Sequence, residues 1–186
     1  MEIYDSIKKI IDLNIYSCLI PLLLNIIQIE IFFKKRYKTK RVLNLIRWFL
    51  ILYFVIGIVH QFIGLVFFSD EFSFLDRATG PYSWAFWLMF ISAAVLPVTL
   101  FYKKLALNPF FLIGIVFFMK IGLYFERFVI IVTSYHRDYA PQNSHFNSIA
   151  FWLQVILMQL LQGFFIAVIL LWIFEVIEKR KATQRL

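Results

Sequence analysis

Long apolar runs with basic or acidic clusters between them dominate the chain from residue 10 onward. Five of them, at 10–33, 42–68, 82–102, 109–135 and 149–176, reach the roughly 20 residues a helix needs to cross a bilayer. The joins between them are short, so the pattern predicts an all-α integral membrane protein. Its five transmembrane helices would form one bundle, a single domain over 1–186.

Polar residues inside these runs recur at helical spacing. In the first run Asn14, Cys18, Pro21, Asn25 and Gln28 follow one another at steps of 4, 3, 4 and 3. In the second, Tyr53, Gly57, His60 and Gly64 follow at 4, 3 and 4. Each set marks one face of a helix. Small residues let another helix come close, and amides hydrogen-bond across the contact, so a packing seam is the plainer reading of both. His60 is open to two readings, a satisfied core histidine or a functional one. It lies eight residues before Phe68, about 12 Å below that end of the helix.

The fourth run is different. Residues 119–141 read MKIGLYFERFVIIVTSYHRDYAP. They place Lys120, Glu126 and Arg127 inside an apolar helix and His136, Arg137 and Asp138 at its end. An ionisable group in hydrocarbon costs at least about 2.5 kcal/mol, so such groups face the protein interior or a wet cavity. At 100° per residue Lys120, Tyr124, Arg127 and Ser134 share one face, and Glu126, Thr133 and Arg137 the next. Glu126 lies roughly 15 Å below the end of the run, close to mid-membrane. The band can be a buried ion-pair network that fixes the bundle. It can equally be a proton route or a polar wall of a binding site. Gln154, Gln159 and Gln162 of the last run offer further partners, whereas Glu175 and Glu178 fall near the interface.

Composition sharpens this picture. Of 186 residues 62% are hydrophobic and 23 are Phe, more apolar surface than a water-soluble domain of this size can hide. The net charge of +8 could suggest a nucleic-acid partner. The basic residues cluster at the ends of apolar runs, however, so membrane topology accounts for them and no nucleic acid is expected. Lys34, Lys35, Arg36, Lys38, Lys40 and Arg41 fill the first loop. Lys103 and Lys104 occupy the third, and Lys179, Arg180, Lys181 and Arg185 the tail. The other loops hold Asp70, Glu71, Asp76 and Asp138 against Arg77 and Arg137. The positive-inside bias puts the N-terminus outside and the C-terminus in the cytoplasm. The first run follows mixed charges and is long enough to span, which fits a retained helix better than a cleaved signal. Tyr82, Trp84, Trp87 and Trp152 flank outer helix ends as an interfacial belt.

Several chemistries are not expected. There is no phosphate-cradling glycine loop and no nucleophile elbow. The single cysteine, Cys18, excludes an internal disulfide and a cysteine-held Fe–S cluster. A bis-histidine haem needs two histidines at matched depth, but His60 is deep while His136 and His145 lie at the outer edge. His136, Asp138 and His145 do not have a diagnostic metal-ligand spacing.

One ordered set of motifs carries a family resemblance. It consists of RATGPYSWAFWLMF at 77–90, LP at 96–97, FYKK at 101–104 and IGLYFERFVIIVTSYHRDYAP at 121–141. This set resembles the NrfD-like, or polysulfide-reductase-type, membrane subunits. The nearest pattern is that of the large quinol-binding membrane subunits of bacterial alternative complex III. Members of that family are about twice as long and are built from two four-helix bundles, and the motifs here match the second half. Tyr135 stands where the family usually has Leu.

The resemblance implies a multi-pass subunit of a bacterial inner membrane, one that holds no covalent cofactor. It would exchange electrons between quinol and Fe–S and cytochrome partners. Another NrfD-like half or a second copy would complete the two-bundle unit. Glu126, Arg127, His136, Arg137 and Asp138 fall at the family's ERF and HRD positions and would form a proton route or the polar cluster beside a quinol. His60 and Tyr124 would be quinol contacts. Two other functions fit the same pattern, a non-catalytic structural or assembly subunit and a small transporter.

Overall fold

The computed structural model describes residues 2–33, 39–67, 78–80, 83–122, 124–125, 128 and 149–183. Every element among them is helical. Four stretches are long and apolar enough to cross a membrane, namely Ser6–Phe32, Thr39–Phe67, Ser83–Phe101 and Leu153–Ile177. Of the expected fourth span, Pro109–Met119 is a shorter apolar helix, and most of 123–135 lies outside the described residues. The chain divides into two compact units, one of residues 1–42 and 137–186 and the other of Leu43–His136.

In the first unit, α1 (Glu2–Asn14) and α2 (Leu19–Phe32) are separated by a 3₁₀ turn, Tyr16–Cys18. Pro21 explains the break. It cannot donate to the carbonyl four residues back, that of Ser17, and its ring crowds that turn. The chain tightens instead, with Cys18 N–H donating to the Ile15 carbonyl at 3.1 Å. That shift removes the donor a regular helix would give to the Asn14 carbonyl. Gln162, on the long last helix, replaces it, its Nε2 donating to the Asn14 oxygen at 2.8 Å. Asn14 Nδ2 and Ser17 Oγ donate to the carbonyls of Ile10 and Leu13, at 2.9 and 2.6 Å. Asn25 Nδ2 in turn donates to the Pro21 carbonyl at 2.8 Å.

The last helix, here α7 (Ile149–Thr183), packs along α2 and the 3₁₀ turn. Among its described side chains the buried positions are Gly163, Ala167 and Leu171, four residues apart, so the contact face is small at Gly163 and Ala167 and larger at Leu171. Across from them are Cys18, Leu19, Leu22, Leu23 and Ile26, all buried. The approach is closest at Gly163, where an added Cβ would meet Pro21 Cβ at 2.7 Å and the Leu22 backbone nitrogen at 2.8 Å.

The second unit takes in the rest of α3 (Thr39–Phe67) from Leu43 on. It also holds α4 (Ser83–Phe90), α5 (Lys103–Ala106) and α6 (Pro109–Met119). Between α4 and α5 the third span changes pitch twice, to a π turn over Ile91–Val95 and to 3₁₀ over Leu96–Phe101. Pro97 is the cause, because it offers no N–H to the Ala93 carbonyl. Tyr102 ends the span in an extended conformation. Asn108, extended before Pro109, starts α6 by accepting the Phe110 N–H on its side chain at 3.0 Å. Leu43, Ile46, Leu50, Leu100, Leu112, Ile115 and Val116 form the core.

The Gly163 contact is with backbone and a rigid ring, so no flexible side chain can yield. Gly163→Ala is expected to cost about 1–3 kcal/mol, read as lowered resistance to denaturing detergent. Gly57→Ala meets no described atom within 4 Å and is expected to leave that resistance unchanged.

Candidate functional site

From residue 52 to residue 67, α3 is exposed apart from Tyr53, Phe54, Gly57, His60 and Gly64. Phe54 apart, these are the residues whose 4, 3, 4 spacing marks one face, and that face is turned to the protein. Close approach was expected at Gly57, but among the described residues no atom would lie within 4 Å of an added Cβ there.

The floor of this face is polar. Lys120 is half-buried at the end of α6, and its Nζ donates to Tyr53 Oη at 2.9 Å. The ammonium is 5.3 Å from the Tyr53 ring centroid. With the hydroxyl at 2.9 Å, that distance places it beyond the phenol oxygen and not over the ring, so the contact is a hydrogen bond and not a cation–π pair. The phenol both accepts and donates, so accepting from Lys120 does not use its own O–H. The helical register of α6 falters at Lys120, whose N–H donates to Phe117 at 3.1 Å, and resumes with Tyr124 N–H donating to the Lys120 carbonyl at 3.1 Å.

Tyr124 therefore stands one turn beyond Lys120, as Gly57 stands one turn beyond Tyr53. Its ring stacks on Phe117, with centroids 5.3 Å apart and planes at 27°. Nearby Phe125 meets Trp84 edge-on at 5.8 Å. His60 is half-buried, three residues past Gly57 on the same face. Glu126, Arg127, His136, Arg137 and Asp138 lie outside the described residues, as do His145 and Tyr82. Trp87 of the expected aromatic belt donates its Nε1–H to the Ala78 carbonyl at 3.2 Å.

A second polar centre was not anticipated. Arg47 is buried within the apolar part of α3 at 7% exposure. Its Nε donates to the Leu100 carbonyl at 2.7 Å and its Nη2 to the Phe101 carbonyl at 3.1 Å. Nη1 reaches Asn44 Oδ1 at 3.2 Å. Leu100 and Phe101 are the last residues of the 3₁₀ segment, where carbonyls lose their helical donors. The guanidinium fork fits two adjacent acceptors, and its charge suits the negative end of a helix. Trp48 lies beside it, 5.2 Å from ring centroid to guanidinium carbon. The signal was present in the sequence as a charge five residues inside the second apolar run, paired with a proline in the third.

No protein-family model matches the chain, and no curated protein or solved structure matches it.

Replacing Arg47 by Met keeps bulk but leaves two inward-facing carbonyls without their donor. A loss of about 2–4 kcal/mol is expected. Arg47→Lys, which cannot bridge both oxygens, should recover only part of it. Thermal unfolding in detergent, followed by tryptophan fluorescence, measures both.

Proposed function

We propose that the chain is a membrane subunit of a quinol-oxidising respiratory electron-transfer complex, contributing a proton route and part of a quinol site. Five helices would cross a bacterial inner membrane, with the N-terminus outside and 109–135 as the fourth. Fe–S and cytochrome subunits would take the electrons, and another NrfD-like half or a second copy would complete the bundle pair.

The Lys120–Tyr53 hydrogen bond carries this reading, together with the space one turn away at Gly57, where an added Cβ would meet no described atom within 4 Å. Tyr53 is eleven residues into its span from Val42, and Lys120 eleven into its own from Pro109. Both therefore lie about 16 Å from the cytoplasmic end, near mid-membrane. A lysine and a phenol at that depth are costly unless they serve one another or a ligand. Tyr124 follows Lys120, and Gly57 follows Tyr53, by one helical turn each, with His60 three residues past Gly57. A flat ring with an oxygen at each end suits such a space, with aromatic walls and a hydroxyl at the floor. As electrons leave a quinol its hydroxyl protons must be accepted, and a hydrogen-bonded Tyr–Lys pair can pass one on. Glu126, Arg127, His136, Arg137 and Asp138 would continue the route outward.

A second reading has its own observation. Arg47 and Gln162 are polar side chains inside the apolar helices, and both are engaged by backbone carbonyls. Polar groups in this chain thus also serve architecture, as expected of a structural or assembly subunit.

Purification of the complex from native membranes separates the two. With the complex intact, Tyr53→Phe and Lys120→Met are each expected to lower quinol oxidation about tenfold or more. Gly57→Leu should raise the KM for quinol by filling the space. Unchanged turnover in all three would leave the structural role standing, and isolation without any redox partner would overturn membership of such a complex.

A further inference from the structure

The first span is longer than a membrane requires. Ser6–Phe32 runs for 27 residues, about 40 Å of helix against about 30 Å of hydrocarbon. The basic loop that begins at Lys34 marks one end, so the surplus falls at the other. There the chain carries Lys8, Lys9 and Asp12, and there the α-helix is interrupted by the 3₁₀ turn Tyr16–Cys18. Counted from Tyr16 to Phe33, the remainder is about 27 Å long, close to the hydrocarbon thickness and within the lengths that spanning helices use.

α1 has two distinct sides. At 100° per residue Ile7, Ile10, Ile11 and Asn14 share one, and Lys8, Lys9 and Asp12 the other. Ile7 is 52% exposed and Ile10 61%, while α7 packs on α2 and on the turn beyond α1. α2 also has exposed apolar residues, Leu24, Ile31 and Phe32, a surface that acyl chains would cover.

We propose that α1 is an interfacial amphipathic helix lying along the lipid surface where the N-terminus emerges. Ile7 and Ile10 are sunk among the acyl chains, and Lys8, Lys9 and Asp12 face the headgroups and water. The Tyr16–Cys18 turn is the bend at which the chain changes from lying on the membrane to crossing it. A lipid surface is the fitting partner for two reasons. The stripe is aliphatic, with further exposed apolar residues on α2, and its opposite charges nearly cancel, which offers little to a strongly charged protein.

The test uses the full chain in phosphatidylcholine vesicles. The background is Cys18→Ala, with Cys18→Ser as a second, and single cysteines are placed in turn at positions 6 to 14 and spin-labelled. Accessibility to oxygen, which favours the acyl region, and to a water-soluble nickel chelate is measured at each position. The expected result is a helical oscillation, with oxygen highest at 7, 10 and 14 and nickel highest at 8, 9 and 12. Adding Ile7→Ser and Ile10→Ser to labels on the polar side should abolish the contrast. A smooth change in depth from 14 to 6 would make α1 the outer end of a straight transmembrane helix. Low access to both reagents at 7 and 10 would mean that protein covers the stripe. Either result would overturn the proposal.

Discussion

A backbone carbonyl that a broken helix no longer serves needs another donor, and this constraint organises both units. Pro21 and Pro97 each interrupt a helix in an apolar run. Each interruption leaves oxygens that the helix no longer serves. In the first unit Gln162 reaches across to the Asn14 oxygen, and in the second Arg47 spans the oxygens of Leu100 and Phe101. Side-chain amides and hydroxyls on the broken segment itself deal with their nearest neighbours, as Ser17 does for Leu13 and Thr99 for Leu96. The broken helices are thus tied to intact ones by polar contacts whose loss costs more in a membrane than in water.

Packing follows from the same breaks. Pro21 sits where α7 comes closest, and only a residue without a side chain can face it there, which is Gly163. The small-residue stripe on α7 continues through Ala167, so the two helices remain close below that point. In the second unit the half-buried Lys120 has Tyr53 as its partner. That unit is tight at Gly122, where an added Cβ would meet Met89 Sδ at 3.0 Å, whereas one at Gly57 would meet no described atom within 4 Å. The proposed ligand is placed beside Gly57 for that reason, next to the Lys120–Tyr53 hydrogen bond.

The helical class and its membrane character were legible in the sequence because run length and the period of apolar residues are local properties. The inward face of α3 was legible too, from the spacing of Tyr53, Gly57, His60 and Gly64. Pairings were not. Gln162, read as a possible partner for the charged fourth run, holds an Asn14 carbonyl that no reading of the sequence foresaw, because no pattern along a chain announces which backbone oxygen a proline elsewhere has released. Arg47 was overlooked for a related reason. A lone arginine five residues inside a span looks like an interfacial charge until the end of another helix is placed against it. The lack of close approach at Gly57 among the described residues could not be foreseen, since glycine spacing marks where helices can meet and not whether they do. The candidate residues Glu126, Arg127, His136, Arg137 and Asp138 rest on sequence alone.

The bond between Gln162 and Asn14 joins residues 148 apart in the chain. Membrane helices are delivered to the bilayer in order of synthesis, the first long before the last. The span of α1 and α2 therefore enters with its Asn14 oxygen unmet and must wait for 148 further residues to be made before its donor arrives. During that interval lipid headgroups, water drawn to the break or the insertion machinery must stand in. This span is in that sense finished only by a helix made much later, and a chain truncated before Gln162 would leave it in that provisional state.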